Sequence, residues 1–309
     1  MAKAHPIPVT VLGGYLGAGK TSLLNHLLRH NAGRRLAVIV NDFGSINIDV
    51  ALVESQEGDT FSLANGCICC TLGDDLAMTM TALLKRTAPP EQIIIEASGV
   101  ADPVRIAHYG TMPGYRLDAI VVLADAETVR QRSQDRYIGA TVHHQLLGAE
   151  LIVMNKVDLV SPATCQAVRQ WLGIVAPGAR IVEAVCGAIP LALLLDLSLD
   201  RMAVTTDVVG DRLVDHRSSY ETWSFAKDGS LDGARLRALV EQLPEGILRG
   251  KGILTLSDAP TTRTIFQLVG RRWSLKQGEP WDDALPSSQV VLIGLPGSID
   301  AAAFEQALQ

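Results

Sequence analysis

Sulfur, aromatic rings and charge are all scarce in this chain of 309 residues, which carries five cysteines, 5% aromatic and 19% charged residues. Each scarcity excludes something. Basic residues are outnumbered, 27 Lys and Arg against 33 Asp and Glu, for a net charge of -6. That balance argues against general binding to the phosphate backbone of nucleic acids and leaves room only for a local basic patch. No apolar run reaches the roughly eighteen residues that a membrane-spanning helix needs. The first residues, MAKAHPIPVTVLGG, lack the basic n-region, apolar h-region and cleavage site of a signal peptide. The expected compartment is the cytoplasm, where thiols stay reduced. A disulfide framework is accordingly the weaker reading of the cysteines, and the vicinal pair Cys69 and Cys70 could join only with strain.

Apolar residues are plentiful, at 48%. The chain can bury a large core, and at about 150 residues per domain its length suggests two domains. IPVTVL (7–12) is a β-branched apolar run followed by glycines and then by the helical pattern TSLLNHLLRH. The junction, GYLGAGKT (14–21), fits G-x-x-x-x-G-K-[ST]. Glycines at Gly14, Gly17 and Gly19 let successive N–H groups, with those of Ala18, Lys20, Thr21 and Ser22, turn inward around phosphate oxygens. Lys20 would reach the β- and γ-phosphates and the Thr21 hydroxyl would ligate Mg²⁺. The helix N-terminus adds its dipole to the same anions.

Further apolar runs recur at α/β spacing: RLAVIVND (35–42), QIIIEASG (92–99), LDAIVVLADA (117–126), ELIVMNKVD (150–158) and ARIVEAV (179–185). Helical patterns such as DDLAMTMTALLKR (74–86) and PATCQAVRQWL (162–172) lie between most of them. The prediction is an α/β fold: a P-loop NTPase with a mostly parallel sheet covered by helices. Ligands of such sheets sit at the carboxyl ends of the strands. Asn155, Lys156 and Asp158 form N-K-x-D at one such end. A fixed carboxylate at Asp158 can accept from guanine N1–H and the exocyclic amine, a donor pair that adenine lacks. The Lys156 stem can lie over the base, and Asn155 can tie its turn back to the phosphate loop. Glu96 ends another strand and is a candidate for Mg²⁺, directly or through water. Asp42 is a candidate for orienting the attacking water. Gly99 is a candidate for closing the chain on a γ-phosphate.

Three of the five cysteines, Cys67, Cys69 and Cys70, fall in the stretch G-C-I-C-C-T (66–71). Thiolates at i, i+2 and i+3 can converge on one soft cation, and Zn²⁺ and Co²⁺ accept tetrahedral sulfur. Three ligands leave a fourth position open, which suits a carrier that must release its ion. Cys165 and Cys186 read as small core residues. His143 and His144 read as a solvated helix face.

The ordered set GGYLGAGKTSLLNHLL, NDFGSINID, NGCICC, EASGVADP and MNKVDL resembles the CobW-type GTPases. These are metal-trafficking P-loop proteins related to the urease and hydrogenase nickel-insertion GTPases. RGKGIL (249–254) extends the resemblance into the C-terminal half. The resemblance implies GTP hydrolysis coupled to binding or delivery of zinc or cobalt, with an apo-metalloprotein client as partner. The alternative within the same family is a GTPase that senses nucleotide and metal without delivering it. There are departures. Many relatives read N-E-F-G-E where this chain has Asn41-Asp42-Phe43-Gly44-Ser45, so one carboxylate is lost at Ser45. No histidine-rich tract is present among the seven histidines, which disfavours a storage role.

The domain organisation expected is a GTPase domain over 1–195, a linker over 196–216 and an α+β domain over 217–309. In that last part SYETWSFA, KGILTLS, TRTIFQLVGRRWSL and QVVLIGLP read as strands, and LDGARLRALVEQL and SIDAAAFEQAL as helices. Arg249, Lys251, Arg271 and Arg272 read as solvated surface charge.

Overall fold

A computed structural model describes residues 6–30, 34–41, 60–63, 72–195, 220–281 and 285–308. Asp42, Cys67, Cys69, Cys70 and the segment read as a linker lie outside the described residues. The chain divides into two units, Met1–Asp196 and Leu197–Gln309.

The first unit is built on seven strands: β1 (Ile7–Gly14), β2 (Leu36–Asn41), β3 (Thr60–Leu63), β4 (Gln92–Glu96), β5 (Tyr115–Asp125), β6 (Leu151–Asn155) and β7 (Arg180–Ala184). They pair in the order β3-β2-β4-β1-β5-β6-β7, and every pairing is parallel. Burial explains why they read as unbroken apolar runs. Every residue of β1, β4 and β6 is buried, so neither sheet face could be polar. Val9, Val11, Ile93 and Ile95 are fully excluded from solvent, each contributing about 1.5–3 kcal/mol of transfer free energy.

Helices cover the sheet: α1 (Lys20–Arg29), α2 (Leu72–Leu84), α3 (Pro103–Ala107), α4 (Val129–Ser133), α5 (Gly139–Leu147) and α6 (Pro162–Val175). Their starts are written locally. Ser161 accepts from Thr164 N and precedes a proline at the first turn of α6. Asp102 does the same for α3, accepting from Val104 N ahead of Pro103. The chain leaves β1 toward β2 and leaves β4 toward β5, on the opposite side. The connections of these adjacent strands thus run in opposite directions along the sheet, and a reversal of this kind at the carboxyl ends is where ligands of open parallel sheets sit.

Leu197–Gln309 holds an antiparallel sheet of five strands, β8 (Glu221–Asp228), β9 (Ile247–Leu256), β10 (Ala259–Val269), β11 (Arg272–Pro280) and β12 (Ser287–Gly294), in the order β11-β10-β9-β12-β8. Helices α7 (Gly233–Glu241) and α8 (Ala301–Leu308) supply Leu236, Val240, Phe304 and Leu308 to a core with Trp223, Phe266 and Leu292.

Three sequence readings are corrected. TRTIFQLVGRRWSL is two strands rather than one, split at Gly270, whose φ of 58° reverses the chain. Arg249 is 4% exposed and lies within β9, so it is not surface charge. His143 stands edge-on to Trp171, with ring centroids 6.3 Å apart, while only His144 of that pair is exposed.

Candidate functional site

The phosphate loop spans the turn from β1 to α1. Gly14 has φ 131°, and a Cβ there would lie 2.6 Å from the carbonyl oxygen of Leu123 on β5. Gly19 has φ 102°, and a Cβ there would lie 2.2 Å from Asn155 Nδ2. Both positions demand glycine twice over, for backbone conformation and for space. The carbonyls of the loop are individually engaged. Lys20 Nζ, on a side chain 8% exposed, donates to Gly14 O at 3.0 Å. Ala18 N donates to Tyr15 O at 3.1 Å. Asn155 Nδ2 donates to Ala18 O at 2.9 Å. The remaining named residues of the motif, Gly17, Thr21 and Ser22, lie in the loop and the first turn of α1, with Thr21 half-buried and Ser22 exposed.

Asn155 has a second bond. Its Oδ1 accepts from Gly187 N at 2.9 Å. One side chain thus joins the phosphate loop, the end of β6 and the turn at 185–188. Cys186 in that turn is exposed with φ 52°, so it is not the core residue the sequence suggested. Cys165 is half-buried against the core, where burial raises its thiol pKa.

The turn after Asn155 is more open. Lys156 has φ 62° and donates from Nζ to Asp125 Oδ2 at 2.7 Å. Asp125 is 3% exposed. Burial pushes its carboxyl upward, but the hydrogen bonds from Lys156 and Glu127 N outweigh that and hold it below the usual range. Asp158 lies in the short 3-10 turn Val157–Leu159, exposed.

At the end of β4, Glu96 is 2% exposed and its backbone is in register with Leu12 of β1. The Thr21 hydroxyl and the Glu96 carboxylate are oxygen donors of the kind a hard cation such as Mg²⁺ takes while keeping several waters. Gly99 packs against the phosphate loop: a Cβ there would lie 2.5 Å from Leu16 Cδ2 and 2.9 Å from Leu16 N. Close approach is what requires glycine at this position, not the positive φ that glycine so often supplies. Gln145, 2% exposed on α5, donates to Gly99 O at 3.1 Å and to Ala101 O at 2.8 Å. Among the described residues, no group of three His, Cys, Asp or Glu side chains could hold a metal ion. No helix among the described residues is long and apolar enough to cross a membrane.

Sequence reasoning passed over Asp125, Arg132 and Gln145. Only Asp125 left a signal, as the acid that closes the apolar run of β5.

Residues 8–183 match the family described as CobW/HypB/UreG, nucleotide-binding domain, and residues 220–309 match the cobalamin synthesis protein cobW C-terminal domain. The zinc chaperone CobW of Pseudomonas aeruginosa is 32% identical, covering 98% of this chain and 91% of its own length. The zinc chaperone YjiA of Escherichia coli strain K12 is 30% identical, covering 94% of this chain and 95% of its own. The zinc-regulated GTPase metalloprotein activator 1 of Dictyostelium discoideum is 28% identical over 89% of this chain and 68% of its own. The crystal structure of Zn(II)-bound YjiA GTPase from E. coli superposes at a TM-score of 0.46 with 26% identity over 99% of both chains, too loosely to inform this chain's site. The family match spans more than half of the chain and agrees with the parallel sheet and phosphate loop; the chain belongs to the CobW/HypB/UreG family of P-loop GTPases.

Proposed function

We propose that this protein is a GTP-hydrolysing metallochaperone or metal-insertion factor of the cytoplasm. It loads a transition metal on Cys67, Cys69 and Cys70 and couples its delivery to an apo-metalloprotein client to GTP hydrolysis. The observation that carries the nucleotide part is Asn155, which opens the N-K-x-D run and holds both Ala18 O and Gly187 N. Base-reading turn and phosphate loop are one hydrogen-bonded unit, as a single guanine nucleotide spanning both requires.

In this reading the loop N–H groups of Gly17, Gly19, Lys20, Thr21 and Ser22 face the phosphates, with Gly14 opening the turn and Ala18, whose N–H is taken by Tyr15 O, shaping the cradle. Lys20 exchanges Gly14 O for the β- and γ-oxygens. Asp158 takes the guanine N1–H and amine, and Lys156, anchored by Asp125, lies over the base. Thr21 and Glu96 would hold Mg²⁺, which would supply positive charge to offset that developing on the phosphates. Asp42 orients the attacking water, and Gly99 brings its segment onto the γ-phosphate. Residues 1–195 act as the GTPase domain, 196–216 as the linker, and 217–309 as the part that recognises the client.

Zinc is the metal favoured by the names of the relatives, and cobalt remains a competent substitute because both take tetrahedral thiolate ligation. Metal occupancy and nucleotide state then bias one another reciprocally. The test is an anaerobic Co²⁺ titration followed by the thiolate-to-cobalt charge-transfer band, with GTP·Mg²⁺, with GDP·Mg²⁺ and without nucleotide. A one-equivalent band lost in the Cys67→Ser, Cys69→Ser, Cys70→Ser variant is expected, with metal affinity shifting about 5- to 150-fold between GTP and GDP. Identical affinity in all three states would sink the coupling, and a band kept by the variant would remove the cysteines as the site.

A further inference from the structure

Arg132 lies outside every motif, on the five-residue helix α4 that follows β5. Its Nη1 donates to Leu16 O, 116 positions away in sequence. Its guanidinium lies 5.3 Å from the centroid of the Tyr15 ring. Its Nη2 would be 3.8 Å from a Cβ on Gly17. Tyr15, Ala18, Asp125 and Arg132 line one pocket.

The geometry of a phosphate cradle explains what such an arginine can do. Successive N–H groups can point at an anion only if the intervening carbonyls point away from it. Each outward carbonyl needs a donor on the outside of the loop, or it is free to rotate inward and present negative charge to the ligand. Gly14 O has Lys20, but that bond must be surrendered when Lys20 turns to phosphate. Ala18 O has Asn155. Leu16 O, between them, has Arg132. The guanidinium is suited to the place because it is planar, permanently charged and able to lie over the ring of Tyr15 while it donates. Tyr15 and Leu16 are thereby held from one side by a group that need not move on nucleotide binding. The same hold reaches further, because the Leu16 side chain is what Gly99 packs against.

We propose that Arg132 is a positioning residue for guanine nucleotide: it fixes the carbonyl of Leu16 outward and keeps the phosphate loop in its anion-receiving form before nucleotide arrives. This rests on reading residues 14–21 as the phosphate cradle. Arg132 acts on the loop and not on the transferring phosphoryl group, so its loss removes binding that ground state and transition state share.

The experiment uses the full chain. Affinities for GTP·Mg²⁺ and GDP·Mg²⁺ and single-turnover hydrolysis at saturating GTP are measured for wild type, Arg132→Ala, Arg132→Lys and Tyr15→Ala. Thermal unfolding of each variant serves as a folding control. We expect Arg132→Ala to weaken GTP and GDP alike by about tenfold, with the saturated rate held within about twofold. Arg132→Lys keeps a donor without the planar stack and falls between. Tyr15→Ala, which removes the ring under the guanidinium, weakens both nucleotides. A fall of about a thousandfold in saturated rate at unchanged affinity would overturn the proposal and make Arg132 a transition-state contact. Wild-type affinity in both Arg132→Ala and Arg132→Lys would also overturn it. If wild type itself bound no guanine nucleotide, the cradle reading would fall instead, and this inference with it.

Discussion

Two turns at the carboxyl ends of β1 and β6, the strands on either side of β5, are built on opposite plans. The phosphate loop after β1 is tied at every second carbonyl: Gly14 O to Lys20, Leu16 O to Arg132, Ala18 O to Asn155. The turn after β6 is tied through Asn155 at its root and through the Lys156–Asp125 pair, while Asp158 stands exposed. The difference is what the proposed roles call for, phosphate at the first turn and a base at the second. Phosphate is read by backbone N–H groups, so the backbone itself must be set in advance. A base is read by one side-chain carboxylate, so only its platform needs anchoring.

The comparison can be broken most severely at Asp158. In Asp158→Asn one accepting oxygen becomes a donor, which no longer matches the guanine N1–H and amine pair. We expect GTP affinity to fall about a hundredfold or more, and affinity for a xanthine nucleotide to rise, in a direct binding titration. Loss of GTP binding without any gain for xanthine would show that the carboxylate serves the turn and not the base.

Asn155→Ala attacks the point the two turns share. It strips a donor from Ala18 O and an acceptor from Gly187 N, both in a side-chain environment only 1% exposed. Leaving buried backbone groups unsatisfied costs about 1–3 kcal/mol each. Expected are a lower melting temperature and a GTP affinity reduced by about thirtyfold, with GDP affected equally. A selective loss of GTP alone would place Asn155 with the γ-phosphate and contradict its bridging role.

The smallest effect concerns the platform. The Asp125 carboxyl is held below its usual range, so its contribution to stability is present above the unfolded carboxylate pKa of about 3.9 and is lost as pH falls through the folded value. At neutral pH, Asp125→Asn should melt slightly below wild type, by about 1 kcal/mol or less given the half-exposed Lys156 partner. The gap should close below about pH 4. A gap that persists into acid would mean that packing around Asp125, and not its charge, is what the variant removes.

The parallel sheet was legible because both of its faces are covered, which forces apolar runs at 7–12, 92–95 and 151–154. β3 was not, because T-F-S-L is four residues long and half polar. The strand break at Gly270 was missed because Arg271 and Arg272 are followed by Trp273 and Leu275, which continue a β pattern across the turn. In the C-terminal sheet, Arg249 is charged yet buried, and a charge at a single strand position carries no sign of which way it faces.

The phosphate loop, the N-K-x-D turn and the capped helix starts were determined by the sequence alone, because each is a local pattern in which neighbouring residues satisfy one another's geometry. Which side chains hold those turns was decided only by the tertiary structure. Arg132 meets Leu16 across 116 positions, Gln145 meets Gly99 across 46 and Lys156 meets Asp125 across 31. A side-chain donor has no preferred distant partner until packing brings an acceptor to it, so these bonds leave no periodicity and no motif to read.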